Sequence, residues 1–413
     1  MELINLTIAK GPAPLLAKLS SSFFVSLAHV AFSDNSATCR EMAGLVLTNL
    51  LTSLDPANRS DVEKYILAWM KQTDNPTFLN LSLRTYKIYL SSVGLQQNER
   101  LDGLAVSSLR NILSNVDVGS ETDWSVVYTA LDVFGEYTKV SKLVYGTSFE
   151  KMWHGAVACV LYPQMWVRQA ATRLVCFMLE NLESFEKKPS DSDIQNIASR
   201  LLRQLSAPAV TEGLSNEALK ALSKIATIWQ ANNSKYLPPD DDHDTNTVQY
   251  SSALEYLISR VGGIIRNEEK QKDTTSSKKA CIRLYIFILH IMSTEQIEGN
   301  AEQIILSLYM FLEDGKGKLS QSEEELGLLA QECLDLLESK LSVASFSTIY
   351  ANVKQVVLQR RKERKAKKAI LAVNSPDIAA QKKLKKHARS RENRKRQKGS
   401  EDLYQRKVKK SRV

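Results

Sequence analysis

The sequence has no hydrophobic run long enough to cross a membrane. Its longest apolar stretch, LYIFILHIM after Arg283, is far shorter than the roughly 18 residues that a transmembrane helix needs. Cysteine is also scarce, and its few residues stand singly in apolar segments, without a CxxC pair or any spacing typical of metal ligands. The five cysteines are Cys39, Cys159, Cys176, Cys281 and Cys333. They are predicted to be reduced core residues of an intracellular protein.

The motifs of catalysis and cofactor binding are absent as well. The segment GKGKLS at Gly315 lacks the G-x-x-x-x-G-K-[ST] spacing of a phosphate-binding loop, and no serine or cysteine stands in a nucleophile elbow. The acidic run from Asp240 to Asp244 lacks the glycine and the terminal glutamate of an EF-hand loop. We therefore predict a protein that is not an enzyme, with no catalytic residue, no cofactor and no metal site.

The apolar residues of the sequence follow a helical periodicity. Up to about Leu341, apolar residues recur at spacings of three and four, and strand-like alternation is nearly absent. The helices come in pairs, and the second helices are predicted to start near Ala37, Thr77, Asp123, Met165, Glu212, Ser276 and Gln321. Most of these intervals are about 40 to 47 residues, the period of HEAT or armadillo repeats. The prediction is an all-α solenoid of about seven helical hairpins.

One such unit reads YPQMWVRQAATRLVCFMLENL. Its proline, Pro163, disfavours helix at the preceding residue and marks the turn of the hairpin. The residues predicted to share one face of the second helix are Trp166, Val167, Ala170, Leu174, Phe177 and Met178. All five tryptophans, Trp69, Trp124, Trp153, Trp166 and Trp229, stand beside aliphatic residues at helical positions and are predicted to be packing anchors. A helix with such an apolar stripe must stack on neighbours to bury it.

Three domains are predicted. Residues 1–341 form the solenoid, with an acidic loop inserted at 232–247 because that segment is rich in proline and aspartate. Residues 342–374 form a long helix that leaves the solenoid. Residues 375–413 form a basic, largely disordered tail, although Ser375 as N-cap and Pro376 at the first helical position encode another helix start.

The charge is divided between two regions of opposite sign. Residues 360–413 contain 22 Lys and Arg against 5 Asp and Glu, which leaves 33 basic and 41 acidic residues before them. Because each cation placed on a phosphate releases condensed counterions, the basic region is predicted to bind RNA with little regard to base sequence. The residues predicted for RNA contact and nucleolar localisation are Arg360, Arg361, Lys362, Arg364, Lys365, Lys367, Lys368, Lys382, Lys383, Lys385, Lys386, Arg389, Arg391, Arg394, Lys395, Arg396 and Lys398. Localisation without RNA binding, or contact with another polyanion, stays open.

The basic region also resembles a known family. A helical solenoid that ends in QRRKERKAKKAILAVNSPDIAAQKKLKKH and a later RKR is similar to the C-terminal end of the U3 small nucleolar RNA-associated protein 20 family, also called Down-Regulated-In-Metastasis. The most specific part of the resemblance runs from Gln359 to Lys398. The segment PQMWVRQAATRLVCFML also resembles a repeat helix of that family. Family members are several times longer than 413 residues, so the resemblance covers only their C-terminal portion.

The resemblance implies a function. It implies a non-catalytic HEAT-repeat scaffold of the nucleolar small-subunit processome, with pre-rRNA, the U3 small nucleolar ribonucleoprotein and other processome proteins as partners. Neither a membrane nor a small-molecule substrate is expected. An alternative from the residues themselves is a HEAT-type nuclear transport or assembly adaptor, whose basic tail is a localisation signal or an autoinhibitory mimic of basic cargo.

Overall fold

The computed structural model describes the chain from Ser21 to Asp377 with short gaps, and a few residues beyond. The described ranges are 21–33, 37–53, 56–72, 75–95, 98–116, 123–141, 149–185, 188–207, 210–237, 250–267, 274–312 and 321–377, followed by 380–381, 383–385, 387–388 and 391. Over these residues every regular element is a helix, and none is a strand. The contacts within the chain divide it into two units, Met1–Leu341 and Ser342–Val413, which are described separately.

Fourteen α-helices make up the described part of the first unit. They are α1 Ser21–Ser33, α2 Ala37–Ser53, α3 Pro56–Met70, α4 Pro76–Val93, α5 Glu99–Ser114, α6 Trp124–Ser141, α7 Glu150–Ala158, α8 Met165–Glu180, α9 Asp191–Ser206, α10 Glu212–Asn232, α11 Ala253–Arg266, α12 Thr275–Ile291, α13 Thr294–Leu308 and α14 Gln321–Lys340. Short 3-10 turns follow α7, α8 and α13. Consecutive helices pack as hairpins, from α1 with α2 to α13 with α14.

The hairpins stack into two layers. Each even-numbered helix packs on the next even-numbered helix, from α2 to α14, and the odd-numbered helices form a second layer in the same order. The prediction of seven hairpins is confirmed over the described residues. The observed second helices begin at Ala37, Pro76, Trp124, Met165, Glu212, Thr275 and Gln321, each within one residue of its predicted start.

Local capping signals explain several of these starts. Asn75 accepts a hydrogen bond from the backbone N of Thr77 at 3.0 Å, and Pro76 occupies the first position of α4. Ser190 forms a capping box with Asp193 at the start of α9, and α13 begins with the same device. The polar composition of SLDPANRSD favours a turn, but α3 already begins at Pro56 within it, because proline fits the first turn of a helix.

The core is formed by the faces that the two layers turn toward each other. In α8 the buried side chains include Val167, Ala171, Leu174 and Met178, at spacings of three and four. The predicted face is therefore right for Val167, Leu174 and Met178. It is wrong for Trp166, which is 51% exposed, because the buried stripe is centred on positions nearer Ala171.

Polar contacts tie neighbouring even-numbered helices together at a constant sequence distance. Asn80 Nδ2 of α4 donates to Ser125 Oγ of α6 at 3.1 Å, and Lys87 Nζ pairs with Asp132 at 2.7 Å. Both pairs join residues 45 positions apart, which is one repeat. The last two even-numbered helices repeat this arrangement, since Lys279 of α12 pairs with Glu325 of α14. These contacts fix the register of one hairpin on the next.

The residues at both ends of the predicted acidic insertion contact the solenoid. Helix α10 continues to Asn232, and the following segment is held by Gln195 of α9, whose side-chain amide donates to the carbonyl of Leu237 and accepts from its backbone N. The ring centroids of Tyr236 and Tyr250 lie 5.1 Å apart, so the chain leaves and re-enters the solenoid at one place. The residues between them, including the aspartate run, lie outside the described part of the chain.

Candidate nucleic-acid interface

The second unit is dominated by one long helix, α15, which spans Val343–Asn374. It starts at Ser342, whose hydroxyl accepts a hydrogen bond from the backbone N of Ser345 at 3.1 Å. Its 32 residues contain neither glycine nor proline and make a rod about 48 Å long. It ends at Ser375, which leaves helical geometry (φ −146°) before Pro376, since the residue before a proline disfavours helix.

The second half of α15 has two different sides. At about 100° per residue, the cations at positions 360, 361, 364, 365 and 368 fall on one side, here called the cationic face. The other side carries the apolar residues Ala366, Ala369, Ile370 and Val373, all exposed. Ile370 is 57% exposed and Val373 is 79% exposed. The basic run is therefore a helix on which most of the cations share one side.

The one acidic residue of the sequence between Arg360 and Asn374 is Glu363. Its position lies away from the cationic face, and its carboxylate accepts a hydrogen bond from Gln359 Nε2 at 3.2 Å, one helical turn earlier. Arg360, Arg364 and Lys365 are all exposed. The geometry therefore holds several cations within reach of one bound polyanion.

The structure places many of the predicted RNA-contact residues on this helix. Arg360, Arg361, Lys362, Arg364, Lys365, Lys367 and Lys368 all belong to α15. Lys383, Lys385 and Arg391 are in helical conformation and exposed, and Pro376 and Asp377 are helical as the signal at Ser375 predicts. Lys382, Lys386, Arg389, Arg394, Lys395, Arg396 and Lys398 lie outside the described residues. The interpretation of all these residues as RNA contacts stays a prediction.

The solenoid carries cations that the sequence pattern does not single out. Arg84 and Lys87 of α4 line a surface groove of about 440 Å³ together with residues of α1, α2 and α6. The guanidinium of Arg84 lies 5.9 Å from the ring centroid of Phe32, and Lys87 pairs with Asp132. These contacts engage the groove's cations within the protein. The offset of 45 residues between Lys87 and Asp132 is the signal that could have revealed the pair.

Two of the five tryptophans are exposed, although all five are predicted to be packing anchors. Trp69, Trp153 and Trp229 are buried, which confirms that prediction for them. Trp124 and Trp166 are 43% and 51% exposed, and each stands in the first turn of its helix, α6 or α8. A first-turn residue can project beyond the end of the packed interface, which a helical pattern alone does not reveal.

Four of the five thiols are buried, and that of Cys39 is half-buried. Burial raises the pKa of the thiols of Cys159, Cys176, Cys281 and Cys333 to about 12, so they are protonated near neutral pH. A search of the described residues finds no group of three or more His, Cys, Asp or Glu that could hold a metal ion. It also finds no helix there with the length and apolarity needed to cross a membrane.

Comparison with known proteins gives a consistent picture. The family model described as "Small subunit processome component 20 homolog, C-terminal" matches residues 109–400. The chain is 45% identical over 414 residues to U3 small nucleolar RNA-associated protein 20 of Saccharomyces cerevisiae, across 100% of this chain and 17% of that protein. The protein of the same name from Schizosaccharomyces pombe is 23% identical over 398 residues, across 92% of this chain and 15% of its own length.

A solved structure of an engineered protein from the Northeast Structural Genomics Consortium covers 77% of this chain and 98% of its own, with 13% sequence identity and a TM-score of 0.32. The stacked hairpins α1–α14 and the basic helix α15 together define a HEAT-like helical-repeat protein with a cationic helix after its repeats. Within that class, the chain belongs to the family of the C-terminal region of small subunit processome component 20. It spans 17% and 15% of the length of its two curated relatives.

Proposed function

We propose that the chain is a non-catalytic scaffold of the small-subunit processome, the nucleolar pre-ribosome that matures 18S rRNA. In this proposal the solenoid provides docking surfaces for assembly factors and RNA, and the basic region from Arg360 onward contacts RNA phosphates. The observation that carries the proposal is the family match over residues 109–400, together with 45% identity along the whole chain to a relative named for U3 RNA.

The physical properties of α15 support the RNA contact. Arg360, Arg364 and Lys365 are exposed, and the acidic residue among them lies toward another side. A polycation of this kind gains affinity for nucleic acid by releasing condensed counterions, and about 6 to 10 phosphate contacts lower the affinity by roughly 10³ to 10⁵ over a modest rise in salt. Binding of this kind is largely blind to base sequence.

The proposed partners follow from the relatives' names. U3 small nucleolar RNA-associated protein 20 names an association with U3 RNA in two yeasts. For this chain we propose pre-rRNA, the U3 ribonucleoprotein and other processome proteins as partners, with residence in the nucleolus. A repeat solenoid suits such assembly because its surface is long relative to its mass.

Deletion of residues 360–413 tests the proposal. The truncated chain is expected to lose nucleolar retention, co-purification of pre-rRNA and most salt-sensitive RNA binding. Its helicity per residue and the thermal unfolding of the solenoid should hardly change, since α1–α14 keep their contacts. Equal affinity of both chains for pre-ribosomal RNA at every salt concentration would show that the basic region makes no RNA contact.

A second variant separates RNA contact from localisation. The truncated chain is given an unrelated nuclear localisation signal, and pre-rRNA is recovered with it after cross-linking. Restored localisation without restored pre-rRNA supports direct contact by residues 360–413. Restoration of both would reduce the basic region to a localisation signal.

The adaptor hypothesis has one observation in its favour, the acidic balance of residues 1–359, with 33 basic and 41 acidic residues. It predicts that the free protein cross-links its tail to its own solenoid and releases it when basic cargo binds. The scaffold predicts cross-links from the tail to RNA in nuclear extract. Cross-linking followed by peptide and nucleotide identification distinguishes the two.

A further inference from the structure

The cationic face of α15 has a regular geometry that goes beyond a high charge. Positions 360, 364 and 368 form one row, and positions 361 and 365 form a second row beside it. Within a row, neighbouring positions are four residues apart, which is about 6 Å along the helix axis. The helical backbone therefore sets two short rows of basic positions side by side.

The side opposite these rows is poorer in cations. It carries Ala366, Ala369, Ile370 and Val373, all of them exposed, with Lys362 among them and Glu363 at its edge. A polyanion therefore meets more cations on the cationic face than on the opposite side. This sidedness distinguishes the segment from a flexible basic tail, which can turn its cations in any direction.

An array of charges anchored along one side of a helix favours a partner whose phosphates are already ordered. A single strand must be ordered to follow that row of basic positions, and each ordered nucleotide costs conformational entropy. A duplex already holds the phosphates of its two strands in fixed rows, and its higher charge density condenses more counterions for release. A-form RNA is recognised through its shape, its phosphates and its 2′-hydroxyls because its narrow major groove hides the bases.

We infer that the cationic face of α15 binds double-stranded RNA, with its two rows of cations lying along the phosphates of the two strands. This inference rests on the proposed function, since it specifies which form of RNA the basic region takes. The recognition is by backbone geometry, so it is independent of base sequence. Lys362 lies toward the opposite side and Lys367 lies just outside the row of Arg360, so both contribute less to this contact than the residues of the face.

Two matched double variants test the sidedness. Arg364→Gln with Lys365→Gln removes two charges from the cationic face, and Lys362→Gln with Lys367→Gln removes two charges from its flanks. Glutamine keeps a high helix propensity, so both chains should retain α15, which circular dichroism verifies. Removal of two phosphate contacts should reduce the slope of log affinity against log salt by about two. In the Lys362→Gln, Lys367→Gln variant, the slope of log affinity against log salt should change by less than about one.

The binding measurement uses the full chain and fluorescence anisotropy. The probes are a mixed-sequence RNA duplex of about 20 base pairs, long enough for the whole of α15, and each of its strands alone. The wild-type chain should bind the duplex about tenfold more tightly than either strand, because the duplex is denser in charge and already ordered. The face variant should lose most of this preference, and the flank variant should keep it.

The outcomes separate the two proposals. Failure of the full chain to bind any RNA would overturn the proposed function itself. Equal affinity for duplex and single strands, or equal losses in the face and flank variants, would overturn the duplex inference and leave RNA contact in place. Preference for duplex together with a selective loss in the face variant supports both.

Discussion

Gly155 of α7 lies directly against the backbone carbonyl of Leu113 in α5, and a Cβ added at Gly155 would overlap that oxygen. The two residues belong to successive helices of the odd-numbered layer, which pack on each other here. Backbone cannot move aside as a flexible side chain can. The absence of a side chain at position 155 is therefore what sets the spacing of the third and fourth hairpins.

Gly155→Ala should consequently destabilise the solenoid by about 1–3 kcal/mol, the usual cost of overpacking. Urea unfolding followed by circular dichroism measures it. Gly299→Ala in α13 is the matched control, because the added methyl meets nothing within 4 Å. That control should raise stability by about 0.5–1 kcal/mol through helix propensity. Equal effects in the two variants would contradict the close approach.

The carboxylate of Glu63 provides a second test, because it is buried among hydrogen-bond donors. Tyr89 donates its hydroxyl to Oε1 at 2.5 Å, and Asn98 Nδ2 donates to Oε2 at 2.6 Å. Tyr89→Phe removes one donor from a buried carboxylate and should cost about 1–3 kcal/mol. Tyr128→Phe, at a half-buried residue of the surface groove, should change the free energy of unfolding by less than about 0.5 kcal/mol. A similar loss of unfolding free energy in Tyr89→Phe and Tyr128→Phe would mean that the hydrogen bond to Glu63 contributes nothing to stability.

The buried thiols predict how stability depends on alkaline pH. Burial raises the pKa of Cys281 from 9.0 to about 12, so the folded state holds this proton more tightly than the unfolded state. Its stabilising contribution is complete below pH 9 and is lost as the pH rises toward about 12. The free-energy difference between the wild type and Cys281→Ala should therefore narrow between about pH 8 and pH 11.

Urea titrations across that range measure the narrowing. The control is Ile282→Ala, which truncates a buried side chain that carries no titratable proton, so its difference from the wild type should stay nearly constant. A difference at Cys281 that is independent of pH would indicate that this thiol is not desolvated.

The exposure of two tryptophans can be tested by substitution. Trp166→Ala should cost less than about 1 kcal/mol, as is usual for surface positions, whereas Trp153→Ala should cost about 3–5 kcal/mol because Trp153 is fully buried. Trp166→Ala should also remove part of the fluorescence that acrylamide quenches in the folded chain. A large loss of stability from Trp166→Ala would place this side chain in the core after all.

Much of the fold could be predicted from the sequence. Helix starts followed from apolar periodicity and from local signals such as Asn75 and Pro76, because capping is decided by a few neighbouring residues. The same reasoning failed where three-dimensional context decides. Nothing in the local pattern separates Trp153, which is buried in α7, from Trp166, which is exposed in α8.

The candidate site was only partly predictable. The excess of cations after Arg360 was visible in composition, but the arrangement of a cationic face opposite Ala366, Ile370 and Val373 depends on one uninterrupted helix through Asn374. The sequence predicted one long helix over residues 342–374, and only for residues 375–413 did repulsion among like charges argue for a less regular segment. Long-range pairs such as Lys87 with Asp132 were missed because each partner alone is an ordinary surface residue.

The layered stacking also bears on how the chain acquires its structure. Partners such as Asn80 and Ser125 are only 45 residues apart in the sequence, and no element of α1–α14 must wait for a distant segment before it can bury its apolar side. Low contact order of this kind favours rapid folding. Each hairpin can be added to the preceding ones soon after it leaves the ribosome, so the solenoid is suited to folding during its own translation.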